Sequence, residues 1–417
     1  MNEIRALRSH APRPAGPSNF LPRLTLFIGM LMSGGMLLFP RPVLLGLLAM
    51  LCLWQGAPTK VLRPEFSRIW LVILAILIGA MIGGGAIASS ENITRFANII
   101  GGVLLLSLYI DQPRDKLAYD LVPILKWMAI QAILTPPLAL LLPNFFVPIE
   151  VNDTTYQSLL LIFNYHVTLD LPGSIPRPDG FFWEPGVFQI YLNLLLYISL
   201  FVFKRPRLVA LAIAGVVATQ STTGVIVCAV QLGYFALRKL QTAGLRERIL
   251  VLVLAPVALV PVFLFAYANL NSKLTGDYRG SAWARQYDLI TGIRIANEYP
   301  LTGIGFDYER YYIEAQRLGY NETQLGIGNI TERSNSNSFA SLFAYIGYPL
   351  GLVIVFGMLR QRFLRDKMLI AVMLTLSLIS EALLLTPLFL AIVFSGLLVA
   401  PKVPADARRT ALNRAAA

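Results

Sequence analysis

"VFQIYLNLLLYISLFVF", residues 187–203, carries no charge over its whole length. A bilayer core about 30 Å thick takes about 20 apolar residues as a helix, and in lipid a helix satisfies its own backbone polar groups. The stretch therefore reads as a membrane span. Immediately before it stands "RPDGFFWEPG", residues 177–186, where Arg177, Asp179 and Glu184 alternate with Phe181, Phe182 and Trp183. Charges and aromatic rings are thus concentrated at the mouth of the span.

Working outward with windows of that size gives a fold class: an all-α polytopic membrane protein of about 12 (10–12) transmembrane helices. The spans fall near 22–39, 42–57, 69–88, 93–110, 119–142, 185–203, 207–221, 223–238, 249–268, 338–359, 368–382 and 384–400. The composition agrees. Of 417 residues, 56% are hydrophobic and 14% charged, where soluble domains carry roughly a quarter charged residues. The chain reads as a single integral membrane domain, 1–417, with a basic, Pro-rich arm at 1–21, two long loops at 143–184 and 269–337, and a basic tail at 401–417. No cleavage signature follows the first apolar run, so the first helix is expected to be retained.

The formal charge is +12, and its placement matters more than its size. With a cytoplasmic N-terminus, the N-terminal segment through Arg23, 58–68, 111–118, 204–207, 238–248, 360–367 and the tail hold 24 of the 35 Lys and Arg. The short outer turns hold one each at most, Arg41 and Arg95. Short cytoplasmic loops rich in Lys and Arg fix orientation, so both termini are expected in the cytoplasm. The charge is topogenic, and no nucleic-acid partner is implied. Cys52 and Cys228 lie inside apolar blocks without metal-ligand spacing, and two histidines make a histidine-built metal site unexpected. No metal and no cofactor is expected.

Long loops are usually functional or disordered, and both outer loops carry aromatics without low complexity. In the first, Pro185 suits the first turn of a helix and sets Glu184 at its N-cap. Glu184 then either complements the helix dipole or serves as a base or sugar ligand beside Trp183. The second holds "TGDYRGSAWARQYDLITGIRIANEYPLTGIGFDYERYY", residues 275–312. Trp283, Tyr287, Ile290 and Ile293 follow near-helical spacing, which predicts an amphipathic helix on the membrane surface, broken by "PLTGIG". Arg279 and Arg285 sit on it as candidate phosphate ligands, because the planar guanidinium gives paired hydrogen bonds and keeps its charge. The loop holds eight acidic residues against seven basic, so it is no cationic patch. "SNSNSFASLFAYIGYPLG", 334–351, leads a polar cluster into the next span. Asn335 and Asn337 either cap that helix or bind a sugar or phosphate, and Gly347 and Gly351 form a small-xxx-small pair. "ATQSTTG", 218–224, is a polar outer turn. Lys126 and Glu381 are the charges noted within spans, read as snorkelling and interfacial. His166 reads as an isolated loop histidine.

In order, "GFFWEPGVF", "STTG", "YPLTGIGF" and an Asn before "GYPLG" resemble the O-antigen ligase and O-antigen/exopolysaccharide (Wzy-type) polymerase superfamily, from about 177 to 359. The resemblance implies a glycosyltransferase of the bacterial inner membrane. Its substrate would be an undecaprenyl-pyrophosphate-linked oligosaccharide at the periplasmic face, with a flippase and a chain-length regulator as partners. It implies Arg177, Arg279 and Arg285 on pyrophosphate, Glu184 on the acceptor hydroxyl, and Asn335, Asn337, Trp183, Trp283 and Tyr287 around the substrate. Ligases of this kind place a histidine beside the last Asn. Here Ser336 stands there, which favours the polymerase branch over a lipid A-core ligase. A lipid-linked oligosaccharide flippase is the reading from another class.

Overall fold

The computed structural model describes residues 20–35, 39–83, 90–151, 154–166, 175–242, 244–253, 279–318 and 335–399, isolated positions between 256 and 271, and the backbone alone at 90–91 and 279–283. The helices used below are α1 (Phe20–Gly34), α2 (Arg41–Trp54), α3 (Ala57–Val61), α4 (Ser67–Ile82), α5 (Ser90–Tyr109), α6 (Lys116–Leu141), α7 (Pro185–Tyr197), α8 (Pro206–Ala218), α9 (Thr222–Thr242), α10 (Arg279–Glu298), α11 (Tyr308–Arg317), α12 (Ser338–Leu359), α13 (Lys367–Leu378) and α14 (Pro387–Ser395).

Among the described residues, six helices are long and apolar enough to cross a membrane: Pro64–Ile82, Asn92–Tyr109, Lys116–Leu141, Pro185–Val202, Thr222–Thr242 and Ser338–Leu359. The windows 22–39, 42–57, 207–221 and 368–382 hold shorter apolar helices, α1, α2, α8 and α13. The window 249–268 lies mostly outside the described residues.

The window 384–400 contracts to α14, nine residues long and buried at every one. A helix that is apolar all round belongs in a core, and α14 packs against α5, α12 and α1. Glycines allow the close crossings. A Cβ at Gly102 would stand 2.7 Å from Leu390 Cβ, and one at Gly357 would stand 2.8 Å from the Val393 carbonyl oxygen.

The all-α expectation misses a small sheet in the loop 143–184. Strands β1 (Val147–Val151), β2 (Thr154–Leu159), β3 (Phe163–His166) and β4 (Arg177–Pro178) form an antiparallel meander in sequential order. β4 pairs with β3 through Tyr165 opposite Pro178 and His166 opposite Arg177.

The helix expected across "SAWARQYDLITGI" is α10. Its buried face runs through Ala284, Tyr287, Asp288, Thr291, Ile295 and Ala296, and Ile293 is exposed. That face differs from the Trp283–Tyr287–Ile290–Ile293 stripe because α10 packs on α12. A Cβ at Gly292 would lie 2.7 Å from Ala340 Cβ.

"YPLTGIG" and "IGYPLG" meet each other. Gly347 has φ 73° and ψ 171°, which breaks α12. Into the break lie residues 300–305, with Ile304 N–H donating to Ala344 O (2.9 Å), Gly305 N–H to Tyr345 O (3.0 Å) and Tyr348 N–H to Pro300 O (2.8 Å). Gly303 and Gly347 both take positive φ, and a Cβ at either would fall within 2.5 Å of opposing backbone. The small-xxx-small reading of Gly347 is therefore corrected. Its role is a helix break that an L side chain would strain.

The segments assigned to the cytoplasmic side contact one another. Arg63 pairs with Asp111 (2.6 Å), Lys116 with Asp120 (2.7 Å), Arg238 with Asp366 (2.8 Å) and Arg365 with Asp115.

Candidate active site

At the other end of the bundle lies a cavity of about 670 Å³. Segments far apart in the chain converge on it: the end of α1, the start of α2, the first turns of α5, the loop before α7, the N-terminal half of α10, the start of α12 and the 380–386 turn. Each is an outer turn or loop of the charge-derived map or the end of a span that adjoins one.

Its charged wall is Arg41, Arg95 and Arg285 with Glu184 and Glu381. Glu184 occupies the N-cap position of α7 in extended conformation, yet its side chain makes no capping hydrogen bond. The carboxyl thus stands at the helix N-terminus, where a negative charge complements the dipole, and it also lines the cavity. Trp183, Arg285 and Glu381 line the same cavity beside Glu184. Burial alone would raise its pKa. The Glu381 hydrogen bond, the Arg285 charge, the Trp183 hydrogen bond and the His166 charge outweigh burial, so the pKa lies below the ordinary value. Arg285 Nη2 stands 3.8 Å from Glu381 Oε1, too far for a direct hydrogen bond. Arg41 lies over the Trp183 ring, 5.3 Å from its centroid, and Arg95 over Tyr345 at 6.0 Å. Asn98, 5% exposed, also lines the cavity, and its Oδ1 has no partner among the described residues.

The "GFFWEPG" loop is held from three sides. Gly180 takes φ 65°, and a Cβ there would meet the Phe188 ring at 2.9 Å. Phe182 is fully buried and stacks on Tyr191 at 4.8 Å. Phe181 meets Phe27 edge-on. The small residues ending α1 leave the room: a Cβ on Gly34 would fall 2.1 Å from the Phe182 ring, and one on Gly35 2.3 Å from the Trp183 ring. From the sheet, Asn164 Nδ2 donates to Gly180 O (2.7 Å) and Tyr156 Oη to Trp183 O (2.9 Å). His166 Nδ1 lies 2.8 Å from Asp179 Oδ2, and Asp179 is fully buried. Burial pushes Asp179 up to about 7 despite His166 and Arg177. His166 is raised as well, because the Asp179 hydrogen bond and charge outweigh its own burial. The histidine read as isolated is thus the outer half of a buried pair that braces the loop.

The other expected site residues divide. Trp183, Glu184, Arg285 and Asn335 line the cavity. Arg177 does not. It sits in β4, where its Nε donates to Thr219 O (3.4 Å). The "STTG" hydroxyls do not line the cavity either; Ser221 Oγ accepts from Gly224 N–H. Arg177 and the "STTG" turn therefore dock on each other. Tyr287 is buried away from the cavity wall. Asn337 is a helix cap, its Oδ1 accepting from Phe339 N–H (3.0 Å) and Ala340 N–H (2.9 Å). Asn335 Nδ2 donates to Asp288 O and to Tyr311 Oη, so it joins α10 to the start of α12. The side chains of Arg279 and Trp283 lie outside the described residues. Ser336 lines the cavity and is bound through its N–H and Oγ to Asp288 Oδ2. Lys126 is exposed on α6, whereas Glu381, read as interfacial, is 1% exposed in the cavity wall.

Sequence reasoning missed Arg41, Arg95 and Glu381 as wall residues. A signal existed for the two arginines: they are the lone cations on short outer turns, where orientation favours none.

Residues 208–331, under a third of the chain, match the family model described as O-antigen ligase. The match agrees with the superfamily resemblance. It includes α10 with Arg285, while Arg41, Arg95, Glu184 and Glu381 fall outside it. No curated protein and no solved structure matches the chain.

Proposed function

We propose that the chain is an inner-membrane glycosyltransferase that polymerises undecaprenyl-pyrophosphate-linked repeat units into exopolysaccharide or O-antigen at the periplasmic face. The observation that carries this reading is the convergence of three guanidinium groups and a carboxyl pair on one cavity at the outer end of the bundle. A sugar pyrophosphate linked to a polyprenol is a diester with two negative charges. Three arginines against a carboxyl pair with one net negative charge complement that dianion. When the sugar C1–O bond breaks, the departing pyrophosphate gains a further charge, which fixed cations in a water-poor site stabilise. Glu184, ionised at neutral pH, accepts the proton of the attacking hydroxyl. Trp183 and Asn98 offer a stacking face and an amide to the glycan. Ser336 at the place of the ligase histidine supports polymerisation over transfer to lipid A-core. The segments gathered around the cavity are those that the charge pattern assigns to the periplasm, downstream of a flippase.

The test is polymer formation by the purified protein from lipid-pyrophosphate-linked repeats. Arg285→Ala and Glu184→Gln should each lower turnover roughly 10²-fold while inserting into the membrane at normal levels. Wild-type protein that makes no polymer but joins the glycan to lipid A-core would mark a ligase. Translocation without any new glycosidic bond would mark a transporter.

A further inference from the structure

Two carboxyl groups meet where the "WEPG" turn crosses the 380–386 turn. A Cβ on Gly186 would stand 2.3 Å from Glu381 Oε1 and 3.5 Å from the Glu184 carboxyl carbon. The space left by that glycine is the space in which the two groups approach. Both line the same cavity, and two carboxyls brought that close do not both ionise readily, so one of them is driven to hold a proton. Glu381 is the more enclosed, at 1% exposure, while Glu184 is half-buried and open to the cavity. Its backbone is also fixed: Ser338 Oγ donates to Glu381 O and accepts from Leu383 N–H (2.9 Å) and Leu384 N–H (3.2 Å). That stitch holds the 380–386 turn on the first residue of α12, so the Glu381 side chain is presented from a rigid position.

We propose that Glu184 and Glu381 carry a single proton between them, held by Glu381, so that Glu381 is a positioning residue that keeps Glu184 ionised as the base. This rests on the reading of the cavity as a glycosyl-transfer site. In the step, the acceptor hydroxyl oxygen forms the new bond to the sugar C1, the bond from C1 to the pyrophosphate oxygen breaks with its electron pair, and the hydroxyl proton passes to Glu184. Glu381 keeps its own proton throughout. Among the described residues, the charged and titratable groups facing the pair are Arg285 from α10, Arg41 from α2, Arg95 from α5, Tyr345 from α12, Tyr156 from β2, His166 from β3 and Asp179 from the loop before α7. The three guanidinium groups favour a negative charge on the pair. The depressed pKa of Glu184 runs in the same direction.

The experiment has one arm that needs no substrate. A protonated buried carboxylic acid gives its own carbonyl stretch in the infrared spectrum. At neutral pH the wild-type protein minus Glu381→Gln should show that band, with any contribution from Asp179 cancelling. Its absence overturns the proposal, whatever the protein is found to synthesise.

The second arm follows turnover against pH. Glu381→Ala should lose roughly 10²-fold, and its acid limb should move to higher pH, because Glu184 loses a hydrogen-bond donor. Glu381→Gln, which keeps a neutral donor, should recover most of that loss and return the limb toward its original position. An acid limb that moves to lower pH in Glu381→Ala would mean that an anion had been removed, and overturns the proposal. So does a Gln variant as impaired as the Ala variant. Failure of the wild type to form glycosidic bonds would instead sink the functional reading and leave the infrared result standing.

Discussion

Arg41, Arg95 and Arg285 come from three elements separated by up to 244 positions in the sequence, and each meets the cavity with a different support. Arg285 faces Glu381 across 3.8 Å, Arg41 lies on Trp183 and Arg95 on Tyr345. A guanidinium over an aromatic face keeps its edge donors available to an anion while its plane is held. Lysine at either place would keep the charge and lose the stacked fork. Arg41→Lys and Arg95→Lys should therefore raise KM for the lipid-linked donor more than they lower kcat, and the double variant should lose more than either alone. Steady-state kinetics with purified protein reads this directly; unchanged KM in both variants removes these arginines from the phosphate site. That these two belong to the wall was not legible in any local motif. Each is one arginine on a short turn, and only the third dimension puts them beside "FFWEPG". Glu184 was legible to the point of two alternatives, dipole complement or site residue, and its position at the start of α7 in the cavity wall is compatible with both.

At the scale of elements, the four-stranded sheet is the part the sequence hid best. Its strands are four, five, six and two residues long in the order β3, β1, β2, β4, too short to give a clear alternation against the helical signal on either side. Yet the sheet is what holds the loop that carries Glu184. Asn164, Tyr156 and His166 each bond to a different point between Asp179 and Trp183. The His166–Asp179 contact gives that brace a pH dependence. Burial holds the Asp179 carboxyl near 7 in the folded chain, against 3.8 for an ordinary aspartate. Between those values the unfolded loop releases a proton that the folded loop keeps, so stability falls as pH rises toward 7. His166, whose folded pKa is raised above 6.5, contributes stability that is present below its unfolded pKa and lost as pH rises through the folded one. Both groups weaken the brace in the same direction. Amide exchange across 179–184, corrected for its intrinsic base catalysis, should accelerate as pH rises through about 7. Asp179→Asn should flatten that step. A step that persists unchanged in the variant would show that the pair does not govern the loop. The "YPLTGIG" and "IGYPLG" motifs present the opposite case. The first was visible as a break and the second only as a small-xxx-small pair; the chain breaks at both and seats one in the other, a pairing that neither announces alone.

For the whole molecule, the charge pattern and the contacts divide the connecting segments in the same way. Lys60, Arg63, Arg114, Lys116, Arg238, Arg360, Arg362, Arg365 and Lys367 belong to the loops read as cytoplasmic. The carboxylate partners of Lys60, Arg63, Lys116, Arg238 and Arg365, which are Asp111, Asp115, Asp120 and Asp366, come from the same loops or the adjoining helix turn. The cavity draws its wall from segments read as outer and from the span ends that adjoin them. Alternation along the sequence thus becomes two separate ends in space, an arrangement that a misplaced span would have scrambled. The number of spans was less legible. Length and apolarity suffice for six helices, and a buried nine-residue helix such as α14 carries the same apolar signal as one facing lipid, because both exclude water. Orientation can be tested without activity. Cys52 and Cys228 are both buried, so the native background to a membrane-impermeant thiol reagent should be low. Cysteine at Leu160, 75% exposed at the β2–β3 turn, should label from the periplasm in intact cells. Cysteine at Lys204, exposed after α7, should label only once the inner membrane is opened. The reverse pattern would place the arginine cavity on the cytoplasmic side, where a lipid-linked glycan already carried across the membrane could not reach it, and polymerisation at the outer face would have no site.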